Sequence, residues 1–226
     1  MRYYLTVQLK SDTTFGRGEG VAGLVDVEVD HDEHGCPRIG GRALKGLLVE
    51  EWANLRFALA GAGPGASSGW DDIAAALFGR SGAGDEGGGR LHIGAATLPP
   101  DLHAAIAADD ALNPAQALDA LTTIRRQTSV NAATGAPERG SLRAARAVVR
   151  GVELVAPLDL RLSPEERPRA EALLAACALA VRRGGLTRNR GRGRLSMLLH
   201  QTIPDDYGDA AFTRACFVRF AGEVRP

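Results

Sequence analysis

The chain has 226 residues, 45% hydrophobic and 24% charged, which describes a globular protein with room for one large domain or one and a half small ones. It carries 27 basic and 27 acidic side chains, so any strongly charged surface must come from where charges are placed and not from net charge. The three cysteines, Cys36, Cys177 and Cys216, form no CxxC pair, which speaks against a zinc knuckle or disulfide framework; with no leader pattern and no apolar run of about 18 residues, the sequence reads as a reduced, cytoplasmic protein without a membrane span.

In chain order, residues 3–10 mix β-branched and aromatic side chains in near alternation and predict a strand. A glycine-rich loop follows. Residues 21–29 predict a second strand, with Val25, Val27 and Val29 on one face and Asp26, Glu28 and Asp30 on the other. Leu44, Leu48, Leu55 and Leu59 share a face at helical spacing and predict a helix over 43–60. Stretches 61–69 and 79–90 are rich in Gly, Ala and Ser and are expected to be mobile, with a short helix over 70–78 between them. Residues 91–98 predict a strand, and Asn113-Pro114 caps a helix that runs to about Thr122. Residues 148–162 read as a strand broken at Pro157. A helix over 165–183 is stopped by Gly184-Gly185, and short closing strands are expected at 195–199 and 215–220. This order suggests an α+β protein with a helix-covered sheet, for which a ferredoxin-like βαββαβ core is the natural candidate.

Three segments point to a phosphate-rich ligand. Residues 182–194 hold six arginines and four glycines in thirteen positions, with no acid. Gly185, Gly191 and Gly193 permit close backbone approach, and Arg188, Arg190, Arg192 and Arg194 offer planar forks that match phosphate oxygens. A dinucleotide fold is disfavoured, because Gly191-x-Gly193 lacks a third glycine and a following helix, and no GxxxxGK[ST] loop occurs. The second segment, 38–46, places Arg42 and Lys45 at a helix start, where only a bound anion relieves the conflict with the helix dipole. The third, 125–150, has six arginines against the single acid Glu138. Its turn-rich centre reads as a protruding hairpin that presents Arg125, Arg126 and Arg139 to a nucleic acid backbone. Segment 26–34 is the opposite, with five acids, two histidines and no Lys or Arg. A calcium-binding EF-hand is rejected there, because its twelfth loop position is Gly41. The bland reading is a solvated charge run.

Taken in this order, the motifs resemble the RAMP superfamily, the repeat-associated proteins of CRISPR systems, and most closely the small backbone subunit of type III effector complexes. The family signature I-P-G-S-S-L-K-G is similar to Ile39-Gly-Gly-Arg-Ala-Leu-Lys-Gly46. The family's thumb pattern is similar to residues 131–142, and its terminal glycine-rich loop to 184–194. The resemblance implies a modified RRM-like fold as a single domain over 1–226, with a thumb at about 123–146 and a flexible insertion at about 61–90. It implies a chain that lines a CRISPR guide RNA beside other effector subunits and cuts the complementary target RNA at regular intervals. By the family pattern D-x-x-V-x-D, Asp26 corresponds to the cleaving aspartate and to a ligand for Mg²⁺ or Mn²⁺, and Asp30 to a structural acid. Gly40 replaces the family proline, Arg42-Ala43 replace two serines, and Asn131 stands where the thumb usually has Asp. Two alternatives stay open: a binding-only subunit of the same complex, and a stand-alone CRISPR RNA-processing endoribonuclease that uses one of His31, His34, His92, His103 or His200.

Overall fold

A computed structural model of the chain describes residues 2–62, 68–80 and 88–224. The elements run β1 (Arg2–Leu9), α1 (Gly41–Ala62), α2 (Ser68–Phe78), β2 (Leu91–Ile93), α3 (Pro100–Ala107) and α4 (Pro114–Leu121). They continue with β3 (Thr122–Gln127), β4 (Arg143–Val148), β5 (Glu153–Leu160), α5 (Arg167–Ala180), β6 (Leu195–His200) and α6 (Ala211–Val224). Four strands make an antiparallel sheet in the order β2-β5-β1-β6, while β3 and β4 form a separate hairpin. With the hairpin and α2–α4 set aside, β1-α1-β2-β5-α5-β6 is the ferredoxin-like βαββαβ arrangement.

Alternation sets the sheet. Tyr3, Leu5, Val7 and Leu9 of β1 are buried in one cluster with Leu44 and Leu48 of α1 and Leu173, Leu174 and Cys177 of α5. Tyr3 donates its hydroxyl to Glu171 on α5, and burial pushes the phenol's pKa up. The opposite face carries Thr6, whose Oγ1 contacts His200 Nε2 at 3.1 Å. Burial holds that imidazole's pKa below its ordinary value.

Several elements depart from the sequence reading. Residues 21–29 form no strand. They make isolated bridges, Val27 with Ala145 and Val29 with Gly16, and Glu28 turns inward. Only 91–93 of the expected strand 91–98 joins a ladder. Val148 belongs to β4, and β5 passes unbroken through Pro157. The carbonyl of Pro157 accepts from Gly94 N at 2.8 Å, so the missing N–H faces the short edge strand β2, where it interrupts no long ladder. Residues 215–220 lie within helix α6. Thr213, Cys216 and Phe220 are buried at helical spacing, and a six-residue, largely apolar stretch cannot by itself distinguish strand from helix. Thr213 Oγ1 both accepts from Leu199 N (2.9 Å) and donates to Leu199 O (2.8 Å), so α6 closes the free edge of β6. Helix α3 was not anticipated. The mobility expected for 63–67 and 81–87 lies outside the described residues.

Asn113 caps α4 in a capping box with Gln116, as the Asn-Pro pair suggests. Helix α1 starts where its backbone meets the end of β2. A Cβ on Gly41 would sit 1.9 Å from Ile93 O, whereas one on Gly46 would meet nothing within 4 Å. Gly41→Ala is therefore expected to destabilise the protein by about 1–3 kcal/mol. Gly46→Ala, in mid-helix, is expected to stabilise it by about 0.5–1 kcal/mol. Urea denaturation midpoints that move in the same direction would contradict this packing.

Candidate nucleic-acid interface

The arginine–glycine loop is a folded turn stitched to the segment after β1. Gly184 N donates to Gly193 O (2.9 Å), Gly193 N to Asp12 O (3.1 Å), Leu186 N to Thr14 O (2.8 Å) and Lys10 N to Arg194 O (2.8 Å). Gly185 and Gly193 have φ of +78° and +72°. A Cβ on Gly185 would lie 2.5 Å from Thr14 O, and one on Gly193 would lie 2.2 Å from Gly184 O. At these two positions the close approach is to the chain's own backbone. Gly191, at φ +81°, has open space around it.

The arginines fall into distinct groups. Arg42 lines an open basin of about 380 Å³ with Arg17, Arg38, Asp30, Gly185 and Gly40. Arg38 pairs with Asp30 at 3.0 Å, which fixes one wall of this basin. A second basin, of about 530 Å³, is lined by Arg192, Gly191, Arg125, Arg150, Lys10 and Asp12. Asp12 pairs with Arg125 and accepts from Arg150 N at 3.2 Å. One terminal nitrogen of Arg192 is buried and has no hydrogen-bond partner among the described residues. Arg188 lies outside both basins and grips Glu50 of α1 through two 2.8 Å bonds, which hold the Glu50 carboxyl below its ordinary pKa. Arg126, Arg139, Arg190 and Arg194 are exposed. Lys45 turns towards β2, with Nζ 3.5 Å from Leu91 O. The sequence reading did not single out Arg17, Lys10 or Arg150. They join the basins through tertiary pairing, for which no local signal exists.

The β3–β4 hairpin is anchored at its root and exposed beyond it. Residues 146–148 are buried, while 132–140 are all exposed, and Val130 and Leu142 present apolar surface at 60% and 58% exposure. At the root, Arg146 Nε lies 2.9 Å from Glu28 Oε1, and its NH1 donates to Asp119 Oδ1 (2.7 Å) and Thr122 Oγ1 (3.1 Å). Burial opposes this guanidinium's charge, but its hydrogen bonds to Asp119 and Glu28 outweigh it and hold its pKa above the ordinary value. Two residues from Glu28, Asp26 is exposed. Its N–H donates to Ala144 O (2.8 Å), and its Oδ2 accepts from Ala144 N (2.7 Å). Asp26 borders an open depression of about 330 Å³ lined by residues 20–26 and Ala144.

This architecture has counterparts among solved structures. The chain is similar to a chain in a cryo-EM structure of the Type III-B Cmr-beta bound to cognate target RNA. The TM-score is 0.60 at 13% identity, covering 87% of this chain and 96% of that one. It is similar also to a chain in the apo state of Type III-B Cmr-beta, with TM-score 0.59 at 12% identity and the same coverage. At such identity the likeness establishes the fold. Residues 6–196 match the family model of the RAMP superfamily, and the protein belongs to that superfamily. No curated protein sequence matches it. Among the described residues, no helix is long and apolar enough to cross a membrane.

Arg146→Ala leaves Glu28, 2% exposed, as an uncompensated buried carboxylate, with an expected cost of about 3–5 kcal/mol. Asp119→Ala removes a partner whose side chain is 72% exposed and should cost under about 1 kcal/mol. Urea unfolding of the two variants checks that order.

Proposed function

We propose that this protein is a guide-RNA-binding backbone subunit of a type III CRISPR effector complex, and that it cuts guide-complementary target RNA at regular intervals through Asp26. The observation that carries the reading is the joint placement of Asp26 and the root of the exposed hairpin, Asp26 Oδ2 being 2.7 Å from Ala144 N on β4. Membership of the RAMP superfamily supports it, as does the fold shared with a chain solved in a complex with cognate target RNA.

On this reading the two arginine basins hold guide phosphates, which suits a grip on backbone shape rather than base sequence. Arg42 lies at the start of α1, where free N–H groups and the dipole favour an anion, and Arg192 brings its guanidinium to the wall of the second basin. Val130 and Leu142 would wedge between stacked base pairs and splay the target strand. RNA so distorted carries its own nucleophile, a 2′-OH that attacks in line on the adjacent phosphate. Asp26 fits a role as one carboxylate ligand to Mg²⁺ or Mn²⁺, since Oδ2 is occupied by Ala144 while the side chain remains exposed. Such an ion commonly takes one or two carboxylates, with phosphate and water completing its shell. When bound, it supplies stabilisation of the charge that develops on the scissile phosphate. Asp26 then acts by orientation, its backbone and one oxygen fixed on β4.

A second reading is a subunit of the same kind that binds without cutting. It is favoured by the structural use of Asp26, whose N–H and Oδ2 both bond Ala144. The histidine-dependent processing nuclease has less support, because none of the five histidines lines either arginine basin.

The test uses the complex purified with its native partner subunits, its bound RNA sequenced, and complementary RNA added with Mg²⁺. Asp26→Asn keeps an acceptor for Ala144 but removes the charge. It should retain guide-length RNA and slow target cleavage by about a hundred- to thousandfold. Cleavage at the wild-type rate would remove Asp26 from the reaction, and no cleavage by the wild type would leave the binding-only reading. Arg42→Ala and Arg192→Ala should each weaken RNA binding irrespective of sequence and lower the salt slope by about one.

A further inference from the structure

We propose that Asp32, Cys36 and His103 form a binding site for a thiophilic divalent cation of the Zn²⁺ type, whose existence does not depend on the function proposed above. One ligand atom from each of the three residues lies within 4.8 Å of the others. Two of the residues come from the loop before α1, and the third comes from α3.

The loop is built to present these atoms. Asp32 Oδ1 accepts from His34 N (3.0 Å) and Cys36 N (2.9 Å), while Asp32 N donates to Cys36 O (3.0 Å). Gly35 closes the turn at φ +79°, in a place where a Cβ would sit 1.9 Å from Pro114 O. With Oδ1 occupied, Asp32 Oδ2 faces His103 Nε2 at 2.7 Å. Two backbone donors on Oδ1 fix the carboxylate and leave Oδ2 as the oxygen that can ligate a metal.

The donor set selects the ion. A thiol, an imidazole and a carboxylate together suit zinc and do not suit Mg²⁺ or Ca²⁺, which take oxygen ligands. Zinc bonds of about 2.0–2.3 Å in a tetrahedron place ligand atoms roughly 3–4 Å apart. Asp32 and His103 would therefore open slightly around the ion, and Cys36 Sγ would close the third corner. Cys36 is 1% exposed, whereas the His103 side chain is 31% exposed, so the fourth corner opens towards solvent. The His34 ring stands edge-on to His103, with ring centroids 5.7 Å apart. Binding would replace the S–H bond of Cys36 with an S–metal bond and release the proton to solvent.

The ordinary account is a buried thiol acting as a small hydrophobe beside an Asp–His contact. It does not explain why the thiol sits beside both a carboxylate and an imidazole brought in from α3. A metal would staple the loop carrying Asp30 and Arg38 to α3 and so fix the approach to α1.

The test strips the full-length chain of metal, confirms by circular dichroism that it is folded, and titrates it with Co²⁺. A single cobalt per chain is expected, with a thiolate-to-cobalt charge-transfer band in the near ultraviolet and strong tetrahedral visible bands. Both should vanish in Cys36→Ser, weaken in His103→Gln and persist in Cys177→Ser. Zn²⁺ should displace the cobalt, and excess Mg²⁺ should not. A folded wild type without the charge-transfer band overturns the proposal, even if Cys36→Ser proves too unstable to study. A band that survives in Cys36→Ser overturns it as well.

Discussion

The guanidinium of Arg146 joins segments that are far apart in the chain. Glu28 reaches it from the loop after β1, Asp119 and Thr122 from the α4–β3 junction, and Thr14 donates to its carbonyl at 2.9 Å. Taking a carboxylate and a guanidinium out of water costs several kcal/mol for each ion unless every polar atom finds a partner. A buried pair of this kind is thus weak evidence for stability, but it enforces register. A one-residue slip of either segment would turn Glu28 or Arg146 away from its partner. Asp26 and Ala144 lie two residues from the locked pair on their respective segments, so their reciprocal bonds follow from it.

The surface arginines obey a different rule. Arg38–Asp30, Arg125–Asp12 and Arg188–Glu50 are exposed pairs, which contribute little to folding. They restrict where long side chains point, and so shape the walls of the basins before any ligand arrives. Arg42, Arg126, Arg139, Arg190 and Arg194 have no ion-pair partner among the described residues and keep their donors for solvent or a ligand. Asp12, Asp30 and Glu50, which help to make the whole chain neutral, position neighbouring arginines, so neutrality coexists with locally arginine-rich basins.

Legibility followed the range of the interaction. β1, α1 and α4 are encoded by period and by caps within a few residues, and the sequence reading found them. The α6 segment failed because Thr213, the residue that reveals its helical period, lies just outside the apolar run that was read as a strand. The 21–29 segment has the alternation of a strand, yet it lacks a continuous partner, and Glu28 on its supposedly wet face is buried against Arg146. A partner 118 positions away leaves no local trace. For the same reason the loops could be named as basic from sequence, while the membership of each basin could not.

Topology explains why those loops meet. β1 pairs antiparallel with β5 and β6, so Gln8 at its C-terminal end faces Glu153 at the start of β5, and Leu9 faces Leu195 at the start of β6. The loop after β1, the turn that links the hairpin to β5 and the arginine loop before β6 therefore leave the sheet at one end. β2 runs antiparallel to β5 and hence parallel to β1; its C-terminal residue Ile93 lies level with Leu158 and Tyr3, and Gly41 begins α1 against the Ile93 carbonyl. The strand order gathers the segment after β1, the hairpin root and the arginine loop at one end of the sheet; Asp26 is then held there by Ala144, and Arg42 at the α1 start shares a basin with Gly185 of the arginine loop. The end where β6 runs on to α6 contributes no residue to either basin, so the arginine basins depend on the loops and not on that helix.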